Sequence, residues 1–358
     1  MEPKQAKSAL ETEGFTVHSI SPCPAGVSHH NFEVMLSEGS SEPQRRIARF
    51  ETDLGRSDGR RIDLIYGGRM SLEREVGLCT LVRERAGLPA PRTTGPYKRT
   101  EPFILAEHMP GRLWGEYLQQ QNYSREAFLR SLELLGEDVG KAHLVTFDAF
   151  GDVMGGYVDN PSPSFRHRLE QVIKRNLENN GDKFSSSERA YAEHYFTSML
   201  EKIEESTKED KPRLVLADLH TNNLMVDANG KPSGYFDLEF CQTGVPALEV
   251  YNVSLQFFPL FNLELFSEAQ NAFLKGYRTS GLDYEPEDPK NKQVELILAA
   301  NHFFRAAASY LKFTEGPRVG WAAKFKDIFF DIATNGNIDY IGFKKTVRPL
   351  FPDQPSLP

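Results

Sequence analysis

The chain has 358 residues, of which 39% are hydrophobic and 26% charged, and its formal net charge is −8. This length exceeds a typical single domain, so we expect two lobes around one cleft. The negative charge argues against a nucleic-acid partner, and the chain has neither an apolar signal core nor a membrane-length apolar run. Cys23, Cys79 and Cys241 lie far apart and form no zinc or disulfide motif. We therefore expect a cytoplasmic globular protein with no membrane association.

The N-terminal part of the chain alternates between helical and strand-like segments. Its patterns predict a short polar helix over residues 4–13 and strands over residues 15–20, 31–36 and 46–50. The charged, glycine-rich stretch over residues 51–70 predicts an inserted, mobile loop. These segments together indicate a small β-rich lobe.

The next predicted helix carries a charge on its buried face. Ser71 is a suitable N-cap and Gly87 a suitable stop signal, so the helix is predicted between them. Its apolar side chains form one stripe, and Glu75 falls inside that stripe. An ionised carboxylate on a buried face is costly without a partner. Glu75 is therefore either paired with a buried cation or reaches solvent at the helix edge, and the periodicity alone leaves both open.

A strand and a turn precede the helical part of the chain. Residues 101–109 form an apolar run that ends at Pro110-Gly111, which indicates a strand and a possible hinge near residues 106–111. Beyond this turn the pattern becomes helical. Helices are predicted over residues 125–143, 165–179, 186–206, 263–280, 293–313 and 322–334. The Pro-rich end over residues 346–358 is predicted to be disordered.

The most informative stretch, residues 213–240, lies inside this helical part. An Asn-Gly pair lies there between two apolar runs, which is a strong hairpin signal because both residue types tolerate a positive φ. A hairpin centred on Gly230 places Asn223 directly opposite Asp237, with Asp218 five residues upstream of Asn223. Carboxylate and amide oxygens suit Mg²⁺. The remaining Asp can orient or deprotonate a hydroxyl group, and this constellation is the one used in kinase-type phosphoryl transfer.

The sequence DLHTNN from Asp218 to Asn223, followed by DLE from Asp237 to Glu239, resembles the aminoglycoside phosphotransferase and choline kinase family. The resemblance implies an α+β, bilobal protein-kinase-like fold. In such a fold a small β-rich N-lobe carries one helix, and a larger helical C-lobe contains the catalytic hairpin. The resemblance also implies that Asp218 is the catalytic base and that Asn223 and Asp237 are the Mg²⁺ ligands.

The chain departs from the family pattern around this loop. Leu216 and Ala217 stand where the family usually has His-Gly. Because that His normally braces the loop, the change bears on loop geometry more than on the chemistry. Further along, Glu249 replaces the usual Asp of a Gly-Asp-Pro-x-x-Asp motif, and Val245 replaces its first Asp. Glu239, Glu249 and the acidic loop of residues 285–288 could face an amine-bearing acceptor, although acids at the surface are usually only solvated.

The resemblance also implies a nucleotide site in the first lobe. Gly26, Ser28 and Asn31 match the sparse turn with which the family covers the nucleotide phosphates, although an ordinary hairpin loop has a similar composition. Ile47 would lie over the adenine. Arg49 would then stand where the phosphate-binding Lys usually stands, and Arg is chemically able to bind phosphate but is not equivalent to Lys.

Two further contacts with the nucleotide follow from the same resemblance. Arg49 would pair with Glu75, as the corresponding Lys pairs with Glu in kinases. Backbone groups around Glu107 and Met109 would face the edge of the adenine. The expected lobes are residues 1–108 for nucleotide binding and residues 109–345 for catalysis and substrate binding.

The function expected from these features is an ATP- and Mg²⁺-dependent phosphotransferase. It would move the γ-phosphate to a hydroxyl group of a small, amine-bearing or sugar-like molecule, and GTP is not excluded as the donor. A choline- or ethanolamine-type kinase is an alternative, which would need an aromatic cage. The candidates for that cage are Tyr251, Phe303, Phe304 and Tyr310, although aromatic residues in closing helices usually belong to the core. A non-catalytic pseudokinase that acts as a binding module is the alternative from another class.

Overall fold

A computed structural model describes residues 1–23, 29–51, 61–62, 69–122, 124–258, 263–311, 314 and 319–347. The strands are β1 (Phe15–Pro22), β2 (His29–Glu38), β3 (Gln44–Glu51), β4 (Arg61–Ile62), β5 (Arg69–Met70), β6 (Thr93–Tyr97), β7 (Phe103–Glu107), β8 (Arg112–Leu113), β9 (Phe150–Val153), β10 (Val158–Ser162), β11 (Arg213–Val215), β12 (Leu224–Val226), β13 (Pro232–Tyr235) and β14 (Gln242–Gly244). The helices are α1 (Pro3–Thr12), α2 (Leu72–Glu84), α3 (Trp114–Gln120), α4 (Arg125–Leu144), α5 (Phe165–Asn180), α6 (Ser186–Thr207), α7 (Pro246–Gln256), α8 (Phe266–Arg278), α9 (Pro289–Tyr310), α10 (Trp321–Asn335) and α11 (Tyr340–Val347).

The N-terminal lobe is built on one antiparallel sheet of order β1-β2-β3-β7-β6. Side chains that alternate along these strands bury one face, with Phe32, Ala48, Phe50 and Phe103 at most 2% exposed. Helix α1 contributes Leu10 to the same cluster. The predicted strands and the first helix are therefore confirmed, and most of the predicted 51–70 loop lies outside the described residues.

Helix α2 begins as the sequence predicts. The Ser71 side chain accepts a hydrogen bond from the backbone of Arg74, and Gly87 has a φ of 68° just beyond the helix. The buried apolar side of α2, including Leu78 and Val82, belongs to the hydrophobic cluster of the helical lobe and not to the sheet cluster. This helix therefore joins the two lobes.

Helices surround the core of the C-terminal lobe. The predicted helices are present with end shifts of a few residues, whereas α3, α7, α11 and the hairpin formed by β9 and β10 were not predicted. Residues 346 and 347, which the sequence predicts to be disordered, belong to α11, and residues 348–358 of the predicted tail lie outside the described residues. Within the described part of the chain, no helix combines the length and apolarity that crossing a bilayer requires.

Two small sheets position the loops of the C-terminal lobe. A four-stranded sheet of order β10-β9-β14-β11 leads into the loop that carries Asp218. A three-stranded sheet of order β13-β12-β8 contains the predicted hairpin. Along the chain, the loop that carries Asp218 therefore begins at a strand of the first sheet, β11, and ends at a strand of the second, β12.

The hairpin forms, but its predicted register is wrong by one residue. Leu224 pairs with Tyr235, and the Asn223 carbonyl oxygen accepts a hydrogen bond from Phe236 N–H at 3.2 Å, so Asn223 lies opposite Phe236 and not Asp237. Only Gly230 of the Asn-Gly pair has a positive φ, 78°. The carboxylate of Asp227 organises a wider turn by accepting backbone hydrogen bonds, and a bulge follows Met225. The wider turn and the bulge shift the register.

Glycines allow α4 and α8 to cross in close contact. A Cβ atom on Gly136 would overlap the backbone carbonyl of Phe273, and one on Gly276 would overlap that of Glu133. Each glycine therefore allows the backbone of one helix to touch the other.

We expect Gly136→Ala to lower the free energy of unfolding by about 1–3 kcal/mol, because the new methyl group forces the helices apart. Helix propensity alone would favour Ala at this position by about 1 kcal/mol. Urea denaturation measures the difference. Gly115→Ala on α3 is the matched control, since a Cβ there meets nothing within 4 Å. Equal stability of the two variants would contradict the packing argument.

Candidate active site

The loop between β11 and β12 brings Asp218 and Asn223 together. The Asn223 amide nitrogen donates to the backbone oxygen of Asp218 at 3.1 Å and to its Oδ2 at 3.3 Å. Asn223 is buried, whereas one third of the Asp218 side chain is exposed. The carboxylate can therefore meet a solute while the amide holds it in place.

A buried carboxylate braces this loop from behind. Glu249 has no exposed surface, and its Oε2 accepts hydrogen bonds from the N–H groups of Leu216 at 2.5 Å and Ala217 at 3.3 Å. Ala217 has a φ of 67°, a left-handed conformation that disfavours a side chain. These hydrogen bonds hold that turn without the family's His-Gly. The prediction that Glu249 faces an acceptor is therefore wrong, because the side chain is buried against the backbone.

Asp237 reaches the site through an unusual backbone conformation. It has a φ of 60° and a ψ of 45°, two residues after the end of β13 and directly before a short 3₁₀ helix, Leu238–Phe240. A left-handed residue turns the chain sharply out of the strand. The Asp237 carboxylate thereby contacts Arg49 of β3 even though the hairpin register differs from the predicted one.

Arg49 is the centre of a buried ionic cluster. Its Nε lies 2.9 Å from Glu75 Oε2, and its Nη2 contacts both Asp237 and Glu239 Oε1, the latter at 3.3 Å. The predicted contact between Arg49 and Glu75 is thus present. Glu239 also lies 3.1 Å from Nε2 of His29 and has no exposed surface. The prediction that Glu239 faces an acceptor is wrong, because it is enclosed between the lobes.

Burial and charge shift the pKa values of this cluster in opposite directions. Burial raises the pKa of Glu75 to about 8, although Arg49 opposes the shift. Burial would also raise the pKa of Asp237, but the charge and hydrogen bond of Arg49 lower it below its ordinary value. Burial alone would lower the pKa of Arg49, and the three carboxylates raise it instead. One guanidinium therefore lies among three carboxyl groups that come from two separate parts of the chain.

The donor set fits Mg²⁺. Asn223 uses its amide nitrogen on Asp218, which leaves its oxygen directed elsewhere, and Asp237 supplies an ionised carboxylate. Mg²⁺ is commonly held by one or two carboxylates together with substrate phosphates. Among the described residues, no three His, Cys, Asp or Glu side chains are grouped to hold a metal. A two-residue site completed by phosphate oxygens is the arrangement that these residues fit.

The remaining predicted nucleotide contacts lie on the N-terminal sheet or outside the described residues. Ile47 of β3 pairs with Ala106 of β7. The N–H of Glu107 donates to the Arg92 carbonyl oxygen at 2.8 Å, and the backbone around Glu107 and Met109 is expected to face an adenine edge. That role stays a prediction. Gly26 and Ser28 lie outside the described residues.

The sequence analysis missed three polar residues of this region. His29 lies at the start of β2 and contacts Glu239. His220 Nε2 lies 3.8 Å from Asp218 Oδ2, and burial lowers the pKa of His220 despite the charge of Asp237. Arg74 is fully buried on α2 next to Glu75. The helical periodicity that places Glu75 on a buried face gave no comparable signal for Arg74, since Arg74 turns toward the other lobe.

The proposed aromatic cage does not form around one point. Phe304 stacks on Phe184, Phe303 packs edge-to-face on Phe343, and Tyr310 packs on Trp321. These aromatic side chains make a core. A cavity of about 460 Å³ lies elsewhere in the helical lobe, and of the predicted site residues only Glu285 and Asp288 of the acidic loop line it. Its lining includes Arg213, Pro246, Tyr284, Glu285 and Lys290.

Comparisons with known proteins agree on the architecture. A family model described as "Phosphotransferase enzyme family" matches residues 19–289. A comparison with curated proteins finds no significant match. Among solved structures, a macrolide 2′-phosphotransferase type I aligns with 96% of this chain and 95% of its own, at 13% identity and a TM-score of 0.52. An ethanolamine kinase of Plasmodium vivax aligns with 96% of this chain and 85% of its own, at 13% identity and a TM-score of 0.53. The predicted kinase-like fold is confirmed.

Arg49 and Glu75 should behave as a coupled pair in stability. We expect a double-mutant cycle of Arg49→Met and Glu75→Gln to show a coupling free energy of roughly 0.5–3 kcal/mol in urea unfolding. The reason is that above pH 8, where Glu75 is ionised, each single change leaves the other charge buried without this partner. Glu73→Gln replaces Glu75→Gln in the control cycle, because Glu73 lies on the exposed face of α2 and pairs with Lys98. Additivity in both cycles would show that the pair is not formed in solution.

Glu249 should make stability depend on pH. Burial raises its folded-state pKa from 4.5 to about 7, so between these values the folded protein holds a proton that the unfolded chain has lost. Stability relative to Glu249→Gln should therefore be greatest below pH 4.5, fall as the pH rises to 7, and stay level above it. The total change should be roughly 3 kcal/mol. Urea unfolding of both proteins at several pH values measures it, and a pH-independent difference would contradict the assignment.

Proposed function

The chain belongs to the phosphotransferase enzyme family, and we propose that it transfers the γ-phosphate of ATP to a hydroxyl group of a small molecule with the help of Mg²⁺. The observation that carries this proposal is the meeting of four segments at one place. The contact between Asp218 and Asn223 lies next to the turn of Asp237, and Asp237 touches the pair formed by Arg49 and Glu75.

Each side chain has a task in this reaction that its environment supports. The partly exposed carboxylate of Asp218 orients the acceptor hydroxyl and takes its proton as the oxygen bonds to the γ-phosphorus and ADP leaves. Asn223 holds Asp218, and Arg49, held by Glu75, presents its remaining guanidinium donors to phosphate oxygens. Mg²⁺ held by Asn223 and Asp237 would neutralise charge on the phosphates. Catalysis then rests on positioning and electrostatics, as phosphoryl transfer generally does.

The roles of Asp218 and Asp237 can be separated by experiment. Single-turnover transfer from labelled ATP is first measured across a panel of aminoglycosides, amino sugars, other sugars and amino alcohols, with GTP as a second donor. We expect Asp218→Asn to slow transfer to the accepted compound by about 10²–10⁴-fold, because an amide cannot take the proton. Binding of a fluorescent ATP analogue with Mg²⁺ should be retained. Asp148→Asn, an exposed acid before β9, is the control.

Asp237→Ala should impair binding of the nucleotide with Mg²⁺, whereas Asp218→Asn should impair only the transfer step. We expect it to remove the Mg²⁺ dependence of analogue binding, because it deletes the charged metal ligand. Transfer by Asp218→Asn at the wild-type rate would show that Asp218 is not the base. Metal-dependent binding by Asp237→Ala would reject Asp237 as a ligand. Binding without transfer to any acceptor would favour the pseudokinase, and transfer only to choline or ethanolamine would identify that subgroup.

A further inference from the structure

Arg74 ties α2 to the helical lobe through two backbone carbonyl groups. It has no exposed surface, its Nε donates to the Val153 carbonyl at 2.9 Å, and its Nη2 donates to the carbonyl of Cys241. Val153 is the last residue of β9, and Cys241 follows the 3₁₀ turn that begins after Asp237. One guanidinium therefore connects α2 both to the β9–β10 hairpin and to the segment that carries Asp237.

A second contact presses the same helix against the same hairpin. A Cβ atom on Gly77 would lie 3.1 Å from Gly155 Cα and 3.2 Å from the Met154 carbonyl oxygen. In the other direction, a Cβ on Gly155 would lie 2.9 Å from Gly77 Cα. The two backbones therefore touch where neither residue has a side chain, and this closeness lets Arg74 reach across.

The hairpin that receives α2 is itself firmly anchored. Asp152 of β9 forms a buried ion pair with Arg168 of α5. The N–H of Gly151 donates to the hydroxyl oxygen of Thr243 in β14 at 2.6 Å, and Gln242 pairs with Asp152. Through β14 the hairpin belongs to the sheet that also contains β11, the strand leading to Asp218. A single sheet thus carries the support of α2 and the entrance to the catalytic loop.

From these contacts we propose that Arg74 is a positioning residue that holds α2 against the β9–β10 hairpin, so that Glu75 meets Arg49 before any nucleotide binds. This inference rests on the proposed function only for its consequence, the readiness of the nucleotide site. Arg74 itself touches no reacting atom. Its effect passes through the helix, because Glu75 is the next residue along α2 and faces Arg49.

The chemistry of the contact requires an arginine. A planar guanidinium reaches two carbonyl groups in different directions, whereas the ammonium of Lys is a single point on a flexible stem. A buried charge that loses its acceptors is costly, so α2 stays bound to the hairpin. Helix α2 therefore keeps a fixed position relative to the helical lobe.

Hydrogen exchange of the unliganded protein tests the positioning role of Arg74 without an activity assay. In the wild type the amides of α2 should exchange as slowly as those of α4. In Arg74→Met they should exchange at least ~10-fold faster, because the helix opens locally once its charged hydrogen bonds are lost. Arg74→Lys should fall between the two. Glu73→Gln on the exposed face of α2 should match the wild type.

A second variant tests the backbone contact and guards against misfolding of the Arg74 variants. Helix propensity favours Ala over Gly, so on propensity alone Gly77→Ala should slow hydrogen exchange of the α2 amides. If the close contact with Gly155 holds α2 in place, the new methyl group should disturb it and have the opposite effect. We therefore expect the α2 amides to exchange faster in Gly77→Ala than in the wild type. Gly115→Ala on α3 is the matched control, since its Cβ meets open space. Unchanged exchange of α2 in Arg74→Met and Gly77→Ala, or an unprotected α2 in the unliganded wild type, would overturn the proposal.

Nucleotide binding supplies the functional readout. The dissociation constant of the fluorescent ATP analogue with Mg²⁺ should rise in Arg74→Met in inverse proportion to the fraction of molecules whose α2 is still in position. Transfer at saturating nucleotide should stay near the wild-type rate, since bound nucleotide restores the helix. A loss of the maximal rate with an unchanged dissociation constant would overturn the positioning role. Failure of the wild type to bind the analogue would reject the proposed function and leave the exchange test intact.

Discussion

The structure depends on one buried cation, the guanidinium of Arg49. It lies on the central strand of the N-terminal sheet and reaches Glu75 on α2 and both Asp237 and Glu239 on the turn after β13. These groups come from three separate parts of the chain. Because a buried charge is costly without partners, their meeting constrains how sheet, helix and turn are arranged.

The loop that carries Asp218 shows how hydrogen bonds to a buried glutamate can take the place of the family's His-Gly pair. Ala217 adopts a left-handed conformation that a glycine would adopt more easily, and the histidine usual in the family is absent. Glu249 compensates by accepting hydrogen bonds from Leu216 and Ala217 within a core that excludes water. Hydrogen bonds to a buried carboxylate are strong enough to hold a strained turn. The departure from the family motif therefore changes the brace and leaves Asp218 in contact with Asn223.

Sequence patterns were reliable where burial follows periodicity. The strands of the N-terminal sheet and the long helices were predicted because their apolar residues repeat with the period of the element. The hairpin was predicted in place but with the wrong register, since Asp227 and a bulge widened the turn. The β9–β10 hairpin was missed, because its burial comes from packing against α2 and α5. Its own sequence carries no strong alternation.

The sequence by itself determined which residues are the candidates for the chemistry. The spacing of Asp218 and Asn223, the later Asp237, and the position of Glu75 in an apolar stripe were all visible there, because local geometry and periodicity depend on near neighbours. Only the tertiary structure decided what Glu239, Glu249 and Arg74 do. Each is a charged residue whose partners lie far away in the chain, and such a partner is chosen by how the elements pack. Sequence spacing shows that a buried charge needs a partner, and the fold decides which one it has.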